Sequence, residues 1–193
     1  MAHLKTDGRA QGTLLTKGPF IDIIRGRQAK DPRGLSKAYM KIKNNKIPPS
    51  ARAASKKFAE GCRCSEAILV EYGSRVGLAP DLAMKIGCAF GGGLGSTGDV
   101  CGALTASIMI LGLKHGRTDK GDAARRIATD SRVKEFLEKF KQKYKHLRCN
   151  DLLGFDRSTP EGHDRAAAAG VFKKLCPRYV EHAATILEEL LGK

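Results

Sequence analysis

From Pro48 onward no stretch of this chain alternates apolar and polar residues with a period of two, and no hairpin turn separates β-rich runs. Helical spacing repeats instead. Within 122–145, Val133, Phe136, Leu137, Phe140 and Tyr144 fall on one stripe; near the end Val180, Ala184, Leu187 and Leu191 do the same. Ile47-Pro48-Pro49-Ser50 reads as a stop followed by an N-cap at Ser50, and Ala54, Phe58 and Cys62 then share a face of a helix beginning at Ala51. Cys64 to Tyr72 continues as helix until Gly73 stops it. Pro80-Asp81 opens a helix toward Phe90, Asp99 caps an apolar one reaching about Leu113, and Thr159-Pro160-Glu161 starts one that breaks near Cys176-Pro177. The expected fold class is all-α, a compact bundle of about six helices with a glycine-rich link at 91–98. Aromatic residues are only 6% of the chain and Trp is absent, so Leu, Ile, Val and Ala must fill most of the core.

Charge divides the chain. The net charge is +15, and residues 1–50 carry 11 Lys/Arg against 3 Asp/Glu, a net +8. The expected organisation is a basic, partly irregular extension over 1–50 and a helical cysteine-rich domain over 51–193. A basic arm suits nucleic acid, acidic lipid or an acidic protein. No zinc-finger spacing or RNA-binding aromatic motif accompanies it, so a solvated basic surface is the simpler reading. The longest apolar run, Ala103 to Leu113, spans 11 residues, whereas a membrane-spanning helix needs about 20. With no secretory pattern or twin arginine in the opening residues, the expectation is a cytoplasmic protein without a membrane span.

A reducing compartment changes the meaning of Cys62, Cys64, Cys88, Cys101, Cys149 and Cys176. A chain of 193 residues folds without disulfides, so six cysteines point to metal ligands or reactive thiols, although any one alone reads as a small buried hydrophobe. Cys101 stands out. It lies in the first turn of an apolar helix, where unpaired N–H groups and the positive helix end stabilise a thiolate. Cys88 lies across the glycine link. Cys149 follows Arg148 and Cys176 follows Lys173-Lys174, both at expected breaks between helices. Cys62-Arg63-Cys64 on a helix would point its two thiols apart, so one of them serves a site. No C-x-x-C and no C-x-x-C-H occurs, which argues against a thioredoxin-type centre and covalent c-type haem. His146 and His182 could complete a Cys/His zinc site, but an exposed or packed role is simpler.

The glycine link contains a decoy. Gly93-Leu94-Gly95-Ser96-Thr97-Gly98 matches G-x-G-x-x-G, with Asp119 about 20 residues on. Only about nine residues separate Gly98 from Ile108-Met109-Ile110, too few for a crossover helix and a second strand. No Lys-Ser/Thr follows, as a P-loop requires. The glycines instead let two helices and their cysteines approach closely.

Taken in order, Phe58, Gly61, Cys64-Ser65-Glu66-Ala67, Gly87-Cys88-Ala89-Phe90-Gly91-Gly92-Gly93, Cys101-Gly102-Ala103, Cys149 and Cys176 resemble the C_GCAxxG_C_C family of redox-active cysteine proteins over roughly residues 50–190. The resemblance implies a small helical redox domain. It extends to a domain of split-Soret-type cytochromes, which carry haem and an iron–sulfur cluster and form dimers; without haem motifs here, only the cluster carries over. The family's C-G-A-x-x-G is expected at Cys101-Gly102-Ala103-Leu104-Thr105-Ala106, with Ala106 replacing its glycine and slightly wider helix packing as the result; Cys62 is extra to the pattern.

Three functions follow as expectations. The first is electron transfer through an iron–sulfur cluster held by Cys64, Cys101, Cys149 and Cys176, with Cys88 an alternative ligand. The second is thiol–disulfide redox chemistry, with Cys101 attacking and Cys88 or Cys149 resolving. The third is a zinc-stabilised module presenting the basic arm to nucleic acid. A redox partner protein goes with the first two, and a homodimer is one option.

Overall fold

The computed structural model describes residues 47–192, so nearly all of the basic extension expected over 1–50 lies outside the described residues. Eight α-helices follow in order: α1 Pro49–Ala59, α2 Cys64–Tyr72, α3 Pro80–Phe90, α4 Gly102–His115, α5 Ala123–Tyr144, α6 Cys149–Leu153, α7 Pro160–Ala168 and α8 Val171–Leu191. A 3-10 turn, Gly73–Val76, extends α2. Among the described residues there is no strand, only an isolated antiparallel bridge between Val100 and Arg148. Among the described residues the fold is all-α, with eight helices rather than about six. No helix among the described residues is long and apolar enough to cross a membrane.

The core lies where α2, α4 and α8 meet. Helix α4 buries Ala103, Leu104, Ala106, Ser107, Ile110 and Leu111, and the Ser107 hydroxyl donates to the Ala103 carbonyl at 2.8 Å. Helix α8 sets Val180, Ala183, Ala184, Leu187 and Leu190 against it, and α2 adds Ala67, Ile68, Leu69 and Tyr72. From α5 come Phe136 and Phe140, both fully buried, so the amphipathic stripe at 122–145 faces this core. Each large apolar side chain removed from water here contributes roughly 1.5–3 kcal/mol before the cost of ordering the chain. Polar ties close the seams. Arg75 donates two hydrogen bonds to the Glu188 carboxylate at 2.7 and 2.9 Å, Ser50 donates to the same carboxylate at 2.7 Å, and the Tyr72 hydroxyl donates to the Ala184 carbonyl at 3.2 Å.

Three expected helix ends are corrected. Pro48 rather than Ser50 is the N-cap of α1, because Pro49 at the first helical position lacks only an N–H that would be unpaired anyway. Asp99 does not cap α4; its carbonyl accepts the Cys149 N–H, its carboxylate pairs with Arg148 at 3.4 Å, and Cys101 takes the capping position. The last break falls at Gly170, whose φ of 68° is left-handed, and α8 runs through Pro177. Pro177 is tolerated mid-helix because its neighbours pack into the core and its carbonyl accepts a 3.1 Å bond from Ser55 of α1.

Candidate functional site

Two backbone devices bring thiols together. Gly61, at φ 115°, ends α1 and sends Cys62 and Arg63 out of helical register before α2 restarts at Cys64. Both Cys62 and Cys64 therefore line one cavity, because the pair does not lie on one continuous helix as expected. The second device is a short antiparallel contact. Cys101 N–H donates to Leu147 O at 2.9 Å and Cys149 N–H to Asp99 O at 2.8 Å, so these cysteines sit side by side from segments far apart in sequence.

The glycine link is pinned from the α2 side. The Arg63 guanidinium donates to Cys88 O and Gly91 O at 2.9 Å each and to Ser96 Oγ at 2.8 Å, while the Arg63 N–H donates to the Glu66 carboxylate at 2.7 Å. Gly87 packs α3 onto α2 so closely that a Cβ there would stand 2.8 Å from Glu66 Cα, and the Ser65 hydroxyl donates to Gly87 O at 2.5 Å. A Cβ on Gly102 would stand 2.7 Å from Cys64 Sγ, so that glycine leaves room for the sulfur at the start of α4.

These segments enclose a cavity of about 220 Å³ lined by Cys62, Cys64, Cys101, Cys149 and Cys176, with Phe58, Arg63, Gly92, Leu152, Leu153, Arg157 and Tyr179 completing the wall. Cys64, Cys101 and Cys149 are buried; Cys62 and Cys176 are half-buried. Cys88 is exposed and is not part of the wall. Neither His146 nor His182 reaches it. His146 is exposed, and His182 packs its ring against Phe140 and Tyr144, with centroids 5.9 and 5.4 Å apart.

The electrostatics differ sharply from thiol to thiol. Cys64 is drawn down to about 6, first by a hydrogen bond from the Cys101 thiol, then against the opposing effect of burial by the backbone N–H groups of Gly92 and Ser65 and the charge of Arg157. Cys101, expected to be the ionised thiol, is instead pushed well up, because it shares hydrogen bonds with the sulfurs of Cys149 and Cys64 and is fully enclosed. Cys176 is also pushed up, by burial; the hoped-for help from Lys173 and Lys174 does not arrive, and its cationic neighbour is Arg157. Burial, and then the Glu66 carboxylate, raise Cys62.

Arg157 has no signature in the sequence. Its backbone N–H donates to the Asn150 side chain at 3.0 Å, its guanidinium lies 5.1 Å from the Phe172 ring centre, and a Cβ on Gly92 would stand 2.7 Å from that guanidinium. Its Nε is buried with no hydrogen-bond partner. No His, Asp or Glu lines the cavity, and the Tyr179 hydroxyl in its wall is engaged with Leu152 O at 2.6 Å, so the thiols are its free soft donors. Among the described residues, no three His, Cys, Asp or Glu side chains stand close enough to hold a single metal ion. The cavity thus offers soft thiol donors, the chemistry that iron–sulfur clusters and other thiophilic metals use, with an unpaired guanidinium N–H beside them.

No curated protein and no solved structure matches the chain at the level taken as significant. A family model described as "Putative redox-active protein (C_GCAxxG_C_C)" matches residues 62–190. The G-C-A-x-x-G of that description stands complete at Gly87-Cys88-Ala89-Phe90-Gly91-Gly92, so the departure expected at Ala106 is no departure from the signature. The matched span takes in all six cysteines and well over half of the 193 residues, and the chain belongs to the C_GCAxxG_C_C family.

Proposed function

We propose that this chain is an electron-transfer protein in which Cys64, Cys101, Cys149 and Cys176 hold an iron–sulfur cluster. The observation carrying the reading is the cavity of about 220 Å³, faced by these four cysteines and by Cys62, with no His, Asp or Glu in its wall. Four thiolates in this enclosure are costly without compensating positive charge, and the wall's cationic side chains are Arg157 and Arg63, the latter already hydrogen-bonded to the glycine link. Bound there, a cluster would supply a one-electron couple. The chain's own groups do the tuning: Gly92 and Ser65 offer N–H groups to the Cys64 sulfur, Arg157 offers its unpaired Nε–H and charge, and Phe58, Leu152, Leu153 and Tyr179 exclude water. Cys88, exposed and off the wall, is not assigned as a ligand.

The test is to purify the protein without oxygen, reconstitute it, and measure iron, acid-labile sulfide and the visible spectrum. Charge-transfer absorption with stoichiometric iron and sulfide, lost in Cys101→Ser and Cys149→Ser but kept in Cys88→Ser, is the expected result. Protein that stays colourless and iron-free after reconstitution overturns the assignment.

A second reading is favoured by the shared hydrogen bonds of the Cys101 thiol with Cys64 and Cys149. In it a Cys64 thiolate attacks one sulfur of a disulfide substrate and releases a thiol; Cys101 then attacks the mixed disulfide, releasing the second thiol and leaving Cys64–Cys101 oxidised by two electrons. Loss of two free thiols per chain on treatment with a small disulfide, abolished by Cys64→Ser, supports this chemistry; an unchanged thiol count rejects it.

A further inference from the structure

A second cavity lies away from the cysteines, between the end of α4 and the first half of α5. It measures about 390 Å³ and is lined by Lys114, His115, Arg125 and Arg132, with Ala124 and Ala128 as its apolar floor. Four cationic or protonatable side chains share one concavity, and among the described residues no carboxylate is part of its wall. Asp122 caps α5 and meets Arg125 Nε at 3.6 Å from outside the wall.

Two nitrogens here lack partners. His115 Nε2 and Arg132 Nε are both buried without a hydrogen bond. His115 is otherwise fixed, since its ring meets the Leu190 carbonyl of α8 and its own carbonyl accepts the Thr129 hydroxyl at 2.9 Å. Among the described residues the Arg132 guanidinium has a long 3.4 Å bond to Ala128 O. Buried polar nitrogens normally have partners, and leaving them bare costs stability. Burial and the charges of Arg132, Lys114 and Arg125 also lower the His115 pKa, the mark of a positive field with no anion in it.

We propose that this pocket binds the phosphate group of a small phosphorylated molecule through Lys114, His115, Arg125 and Arg132. A tetrahedral dianion offers several acceptors at once, and guanidinium and ammonium groups meet it with charge-assisted hydrogen bonds. The volume leaves room beside a phosphate for a sugar-sized body over Ala124 and Ala128. The site is independent of the cysteine cavity and stands or falls without it.

The test is a thermal-shift titration of the full chain at constant ionic strength, using inorganic phosphate, ribose 5-phosphate and ribose as probes. A saturable rise in Tm with both phosphates, none with ribose, is the expected result. Ribose 5-phosphate is expected to bind at least as tightly as inorganic phosphate. Arg132→Gln should weaken binding about tenfold or more. Lys114→Gln, a change at an exposed residue that leaves the core intact, should weaken it in the same direction, while Lys56→Gln on α1 should not. A melting curve indifferent to phosphate, or a rise that survives both Arg132→Gln and Lys114→Gln, overturns the proposal. Displacement of ribose 5-phosphate by a lower concentration of single-stranded oligonucleotide overturns the small-molecule assignment.

Discussion

His182 shows how one residue can set the acid limit of a fold. Burial beside Phe140 and Tyr144 lowers its pKa to about 3, and its Nε2 has no partner. The unfolded chain takes up this proton below about 6.5, whereas the folded chain refuses it until about pH 3. Protons therefore bind the unfolded state more strongly in that window, and stability falls as pH drops through it. The stabilising difference is complete above pH 6.5 and lost progressively toward pH 3. His182→Phe should remove on the order of 2–4 kcal/mol of acid sensitivity, read as flatter urea midpoints between pH 6.5 and 3. Gly92 makes a different demand. Its φ of 71° disfavours any side chain, and an added methyl would meet the Arg157 guanidinium at 2.7 Å. Gly92→Ala should cost about 1–3 kcal/mol, seen as a lower Tm, and should displace Arg157 from the cysteine cavity. The glycine was visible in the sequence, but the arginine it makes room for was not.

At the scale of elements, the link from α3 to α4 is ordered by a neighbour rather than by its own composition. Three side-chain hydrogen bonds from Arg63 hold Cys88 O, Gly91 O and Ser96 Oγ in place, and Gly92 can then offer its N–H to Cys64. Arg63→Ala should destabilise the protein by about 1–3 kcal/mol. It should also speed limited proteolysis within 91–98, and cleavage at the wild-type rate would refute that role. Element identity itself was legible: α2 and α3 occupy Cys64–Tyr72 and Pro80–Phe90, where local spacing, Gly73 and Pro80 place them. Boundaries set by longer contacts were not. Asp99 is drawn from capping into the contact with Arg148 and Cys149, and α8 survives Pro177 because its flanking residues are held in the core.

For the whole molecule, site and core are one packing problem, since the helices that carry the cysteines also carry the buried aliphatic residues. Leu187 is fully buried where α8 meets the rest of the bundle. Leu187→Ala should cost about 2–5 kcal/mol by leaving a cavity, measurable by chemical denaturation. It should also raise the reactivity of the buried cysteines toward a thiol reagent as the bundle opens more often. A variant with wild-type midpoint and thiol reactivity would show that the core tolerates the loss by collapsing around it.

The sequence by itself determined the all-α class, most helix positions and the redox family, because helical periodicity, capping and a glycine–cysteine signature are local patterns. Only the tertiary structure decided which thiols meet. It places Cys62 on the cavity wall, leaves Cys88 at the surface, lowers Cys64 rather than Cys101, and brings in Arg157. Those outcomes depend on how helices distant in sequence cross and on whose dipoles and charges they carry into the same enclosed space, which local spacing does not encode.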